Sequence, residues 1–155
     1  MAKFAQSRRS TEFFDKLNKN STTGKITYRM EQWWLCAQIG LIANKQGDAP
    51  GKGSSDMVDY FIDSMKLSQG RIRGLLLMRH FGNVDAGGMK RDLLEREMNR
   101  MLSGSESRLS DDATHMLDRY ATGGLQIIID EIKNQTELYI FMKKYHKLVQ
   151  KYCDK

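Results

Sequence analysis

The stretch TGKITYRMEQWWLCAQIGLIAN, residues 23–44, decides how the rest of the chain must be arranged. It opens on a glycine and two cations, Gly24, Lys25 and Arg29. It closes in an apolar run in which, from Trp33 to Ala43, only Gln38 is strongly polar. Ile26, Met30, Trp33, Ala37 and Leu41 recur at helical spacing, and Thr27 is placed to cap the helix they define. The apolar part is about half the roughly 20 residues that a bilayer-spanning helix needs. A helix that is apolar on nearly every side must be covered on every side. The pattern therefore predicts a central helix with its charged N-terminal end at the surface and the other helices packed around it.

The chain has 155 residues, one proline and a formal net charge of +6, with a pI of about 9.3. That length suits one domain with a substantial core. With so little proline and few runs of alternating polarity, the expected fold is all-α: a compact multi-helix domain over residues 1–155, with an added amphipathic helix at 135–155. The basic balance favours an anionic partner, nucleic acid ahead of membrane. Residues 1–9 carry no apolar core ahead of Arg8 and Arg9, unlike a secretory leader. Cys36 lies in the apolar run and Cys153 near the C-terminus, in no disulfide or metal-ligand spacing. The expectation is a cytoplasmic protein with no membrane attachment.

Local signals divide the chain further. Ser10 or Thr11 can cap a first helix with Phe13, Phe14 and Leu17 on one face. QGDAPGKGSS, residues 46–55, is a loop. Ser55 is then expected to cap a helix with Met57, Val58, Phe61, Ile62 and Met65 inward. Gly70 breaks the chain before a basic helix that turns Ile72, Leu75, Leu76 and Met78 to the core. Residues 82–88 read as a connection, and 89–102 as a helix grouping Leu94, Met98, Met101 and Leu102. After a loop at 103–110, Ser110 with Asp111 and Asp112 starts a helix, since carboxylates favour its N-terminal dipole. In that helix Gly123 and Gly124 give a kink or a close approach of two backbones. The last helix has a seam of Leu138, Phe141, Tyr145, Leu148 and Tyr152 at spacings of 3, 4, 3 and 4, beside a stripe of Lys143, Lys147, Lys151 and Lys155.

Catalytic chemistry finds little support. The loop at 47–54 fails as a phosphate loop, because its glycine spacing is one residue short, Lys52 is followed by glycine, and no strand precedes it. His80, His115 and His146 fall in different helices. Asp111 with Asp112, Asp130 with Glu131, and Glu95 with Glu97 read as caps or solvated faces rather than converging nuclease acids. Trp33 and Trp34 can stack on bases, but their apolar neighbours favour packing. No catalytic residue, metal site or cofactor is expected. What survives is basic surface beside helix ends and loops: Arg8, Arg9, Lys16, Lys19, Lys25, Arg29, Arg71, Arg73, Arg79, Lys90 and Arg91. Cations beside helix N-termini and glycine amides suit phosphate contacts that read no sequence.

The order of these features resembles the DNA sulfur modification protein DndE family: Arg8-Arg9-Ser10, a short helix with Phe14 to Leu17, the Thr23-Gly24 turn, the apolar helix with Cys36, and HMLDRYATGGLQIII at 115–129. The likeness covers roughly residues 7–132, and the helix from Gln135 onward is an addition to it. The resemblance implies a small, basic, helical subunit that binds duplex DNA, notably at nicks, and assembles as a homotetramer. In that family's systems, partner proteins replace a non-bridging phosphate oxygen of DNA with sulfur. Relatives beside translocase ATPases in phage-defence operons make the added helix a candidate docking element. By the same resemblance Gly24 and Lys25 are the best-matched DNA contacts.

The first expectation is thus a non-catalytic DNA-binding accessory subunit working as a homo-oligomer. Its contacts are Gly24, Lys25, Arg29, Arg8, Arg9, Lys16, Lys19, Arg71 and Arg73, and its interface residues are Trp33, Trp34, Phe141, Tyr145, Leu148 and Tyr152. Two alternatives stay open: a helical small subunit or adaptor of a nucleoprotein effector such as a CRISPR complex, and a metal-dependent nuclease.

Overall fold

The computed structural model describes residues 2–83, 88 and 90–154. Its order is β1 (Ala5–Gln6), α1 (Arg8–Asn20), α2 (Arg29–Ala43), β2 (Ser55–Asp56), a 3-10 helix (Asp63–Ser68), α3 (Gln69–Asn83), α4 (Arg91–Met101), α5 (Asp111–Glu131) and α6 (Leu138–Cys153). The fold is predominantly all-α, 66% helical with one tiny two-stranded sheet. None of the described helices is long and apolar enough to cross a membrane.

α2 is central, as its composition requires. Met30, Trp33, Cys36, Ala37, Ile39, Leu41 and Ile42 are all buried, and α5, α6, α3 and α1 pack against it. Its closest neighbour is α5, and glycines explain how close. A Cβ on Gly40 would stand 1.9 Å from the Tyr120 carbonyl oxygen, and one on Gly124 would stand 1.7 Å from that of Cys36. Gly123-Gly124 therefore serves close approach within an unbroken helix. Residues 127–129 lie in that helix too.

The ends of α2 depart from expectation in an instructive way. Tyr28, not Thr27, is the N-cap, and it offers no side-chain cap bond. At the other end Asn44 takes a left-handed conformation (φ 52°). The Arg79 guanidinium donates to the Leu41 and Ile42 carbonyls at 2.6 and 2.7 Å. A cation on the last carbonyls at the negative end of a helix dipole is structural, so Arg79 leaves the list of surface cations.

Several local expectations are corrected. Ser7, rather than Ser10 or Thr11, caps α1 by accepting from the Ser10 amide. Ser10 is itself buried, accepting from Gln6 Nε2. Ser55 caps no helix, and the 3-10 helix at Asp63–Ser68 starts only after Ile62. Residues 55–56 instead pair antiparallel with 5–6, and the ladder continues through Met57 N–H to Phe4 C=O and Phe4 N–H to Val58 C=O. The reason is Phe4, which is fully buried against Trp33 and Phe61. Taking that ring inward brings a backbone whose polar groups need partners. Gly70 does not break the chain, since it lies in the first turn of α3, which follows directly on the 3-10 helix. Met78 is 55% exposed, and His80 turns inward instead. Met98 is also exposed, while Met101 is buried. The helix expected from residue 89 begins at Arg91; Met89, residues 84–87 of the connection, and Lys155 of the lysine stripe lie outside the described residues.

A buried carboxyl ties the N-terminal strand to the two central helices. Asp118 of α5 accepts from the Ala5 amide at 3.1 Å and from the Trp33 indole at 2.9 Å. Burial pushes its pKa up from 3.8 to about 7; the two donors oppose that shift and nearby Asp56 adds to it.

Two predictions follow from this packing. Gly124→Ala should destabilise the protein by about 2–3 kcal/mol or more through overpacking. Gly74→Ala, at a helical site with nothing within 4 Å, should gain up to about 1 kcal/mol. Urea denaturation reads both, and equal effects would contradict the close approach. Because the folded pKa of Asp118 is raised, its contribution is complete below 3.8 and lost as the pH rises through about 7. Asp118→Asn keeps an acceptor for both donors and does not titrate. Its Tm should therefore gain on wild type progressively across that window, and a Tm difference independent of pH would count against the assignment.

Candidate nucleic-acid interface

The exposed cations become a site through the turn between α1 and α2. Asn18 closes that turn on itself. Its Nδ2 donates to the Ile26 carbonyl at 2.8 Å, and its Oδ1 accepts from the Ile26 amide at 2.9 Å. Residues 21–25 thus form a pinned loop that carries Lys25, with Lys19 in the last turn of α1 just before it. Lys16 stands one turn back on α1, and Arg29 is the first residue of α2. All four are exposed, and none is ion-paired to a described residue. The α2 N-terminus beside them lacks a side-chain cap, which leaves the positive end of its dipole available to an anion.

Gly24 is required by geometry. Its φ is +153°, and a Cβ there would stand 3.1 Å from Leu138 Cδ2. The turn is therefore pressed against the start of α6. Its inner side is lined with donors, and they converge on one carboxylate, Glu137. The Thr22 amide donates to the two carboxylate oxygens at 3.3 and 3.0 Å, and the Thr23 amide donates at 3.1 Å. The Thr22 hydroxyl lies 3.1 and 3.2 Å from them, that of Thr23 3.0 Å, and that of Ser21 3.5 Å. In return Ser21 Oγ and Thr23 Oγ1 accept from the Leu138 and Tyr139 amides of α6. The Thr22 amide, foremost among these donors, holds the Glu137 carboxyl below its usual range. Its partners are more than 110 residues away, so no local pattern marks Glu137 in the sequence.

The remaining candidates scatter. Arg8 and Arg9 lie at the opposite end of α1, about 16 Å from Lys19 by helical rise. Arg8 pairs with Glu12, and Arg9 donates to Gln126. Arg71 is exposed at the start of α3, away from the turn in sequence. Arg73 is half-buried and donates to the Ser107 carbonyl, so it serves the fold. Arg91 pairs with Glu95.

The residues expected at a partner interface are placed differently. Trp33, Phe141, Tyr145 and Leu148 are buried within their own chain, which corrects that expectation. Phe141 packs on Phe13 and Phe14 with ring centroids 6.0 Å apart, and the Tyr145 hydroxyl donates to the Leu35 carbonyl at 2.7 Å. Trp34 and Tyr152 are half-buried, and the Tyr152 hydroxyl donates to Glu131. The α6 seam closes on α1 and α2, each large apolar side chain contributing about 1.5–3 kcal/mol by burial. Lys143 and Lys147 remain exposed on the outer side, and Lys151 pairs with Glu131.

The candidate thiol and acids are held within the fold. Burial pushes the Cys36 thiol up to about 12, which keeps it protonated. His80 bonds Glu97 at 2.5 Å, and Arg100 bridges Glu97 to Asp112. This chain of polar contacts ties α3, α4 and α5 together and occupies two of the candidate acids. No group of three His, Cys, Asp or Glu among the described residues stands close enough to hold a metal ion. No family model, curated protein or solved structure matches the chain.

Proposed function

We propose that this protein is a non-catalytic DNA-binding accessory subunit of a DNA phosphorothioation or related phage-defence system, contacting the phosphate backbone of duplex DNA. The observation that carries the reading is that Lys16, Lys19, Lys25 and Arg29, all exposed and none ion-paired to a described residue, lie in or flank one pinned turn beside a helix N-terminus without a side-chain cap. Salt-bridged surface lysines do little for a ligand, whereas unpaired cations on a rigid loop meet phosphates without first breaking a contact. Gly24 acts by holding the turn against α6 rather than by touching DNA. The net charge of +6 adds a general attraction that speeds encounter. The resemblance to DndE proteins supplies the biological setting, a homo-oligomer working with modification proteins or a translocase ATPase.

Lys25→Glu combined with Arg29→Glu should weaken binding to duplex DNA by about tenfold or more at low salt while leaving the helical circular dichroism unchanged, and it should reduce the salt dependence by about two phosphate contacts. Lys90→Glu combined with Arg91→Glu makes the same change in net charge on α4 and should have a much smaller effect. Equal losses from the two pairs would reduce the turn to general electrostatics.

A further inference from the structure

The turn at residues 21–23 offers Glu137 more than a carboxylate can use. Two amides and three hydroxyls point at it, whereas a carboxylate has about four lone-pair positions on two oxygens. Consecutive amides joined by Ser and Thr hydroxyls are a recurrent way of holding phosphate. Lys25 stands two residues away and is ion-paired to no described residue, so a cation borders the donor set without being neutralised by Glu137. The Thr22 and Thr23 contacts lie at the exposed surface rather than in the core. A competing anion therefore reaches them without opening the fold.

We propose that this turn is a phosphate-binding nest held closed by the chain's own Glu137, and that a backbone phosphate of DNA displaces that carboxylate on binding. The inference rests on the DNA-binding reading above and adds the phosphate subsite and its internal competitor. Displacement needs only a side-chain movement. Phe141, Tyr145 and Leu148 keep α6 docked, and the Leu138 and Tyr139 amides keep their bonds to Ser21 and Thr23. A tethered competitor weakens each single phosphate contact, so a ligand that also engages Lys16, Lys19, Lys25 and Arg29 is favoured over an isolated anion.

The test compares duplex DNA binding by the full chain carrying Glu137→Ala with the same chain carrying Glu106→Ala, which removes an exposed acid outside the site. Glu137→Ala should bind about tenfold tighter than Glu106→Ala, the scale of an ordinary coupling between two sites. Adding Thr22→Val, which deletes one hydroxyl donor, should take back much of that gain. Equal affinities of the two single variants, both folded, would overturn the nest. Should Glu137→Ala fail to fold, the wild-type protein decides by NMR. The Thr22 and Thr23 amide signals should move saturably on adding duplex DNA, and amides that stay silent while the signals of Lys16, Lys19, Lys25 and Arg29 respond would overturn it. Should wild type bind no DNA, inorganic phosphate is titrated into the Glu137→Ala protein. Saturable shifts at the two amides would uphold the nest and reject the DNA reading, and their absence would reject both.

Discussion

The contact between α2 and α5 sets the terms for everything else. At Gly40 and Gly124 each helix meets a carbonyl oxygen of the other at distances that leave no room for a methyl group. Helices that approach so closely cover nearly all of α2 on one side, and the cover must be completed from the others. α3, α1 and α6 supply it, which is how a run apolar on almost every face is covered within its own domain. The energetics are those of shape as much as of hydrophobicity. A protein interior packs like an organic crystal, so glycine at these sites is a steric demand that alanine does not meet despite its better helix propensity.

Polar groups then fix where the remaining elements attach. Asp118 receives the backbone of β1 and the Trp33 indole, Arg79 closes the C-terminus of α2, and His80, Glu97 and Arg100 hold α4 to its neighbours. Asn18 and Glu137 do the same for the turn between α1 and α2. That turn owes its surface position to the core, since Leu17 and Ile26 on either side of it are buried. Its cations are consequently presented on a loop whose two ends are both held, or on the helix ends flanking it. Less conformational freedom is lost when such a loop meets a ligand than when a mobile lysine tail does.

How much of this was legible in the sequence depended on how local each cause was. The helical class, the central α2, the loop from 46 up to β2, the start of α5 at Ser110 and the seam of α6 all followed from periodicity and capping within a few residues. The stretch after Ser55 went the other way because Phe4, fifty residues earlier, claims it as a strand partner, and tertiary pairing overrides weak helical spacing. Arg73 and Arg79 look like surface cations in sequence, and only the fold puts carbonyls in front of them. The apolar side chains of α6 could face a partner or their own domain by pattern alone; the rings of Phe13 and Phe14 decide for the domain. Glu137 had no local signal, because its meaning lies entirely in the serine and threonines that meet it from the other end of the chain.

The proposal that joins fold to function is that a small group of exposed cations, none ion-paired to a described residue, engages DNA through its phosphates. The most direct measurement is the affinity for duplex DNA across a range of salt concentrations, with two unrelated sequences. Four phosphate contacts, from Lys16, Lys19, Lys25 and Arg29, predict a slope of log affinity against log salt of about −3.6, the same for both sequences. A slope near zero, or strong preference for one sequence over the other, would contradict the account.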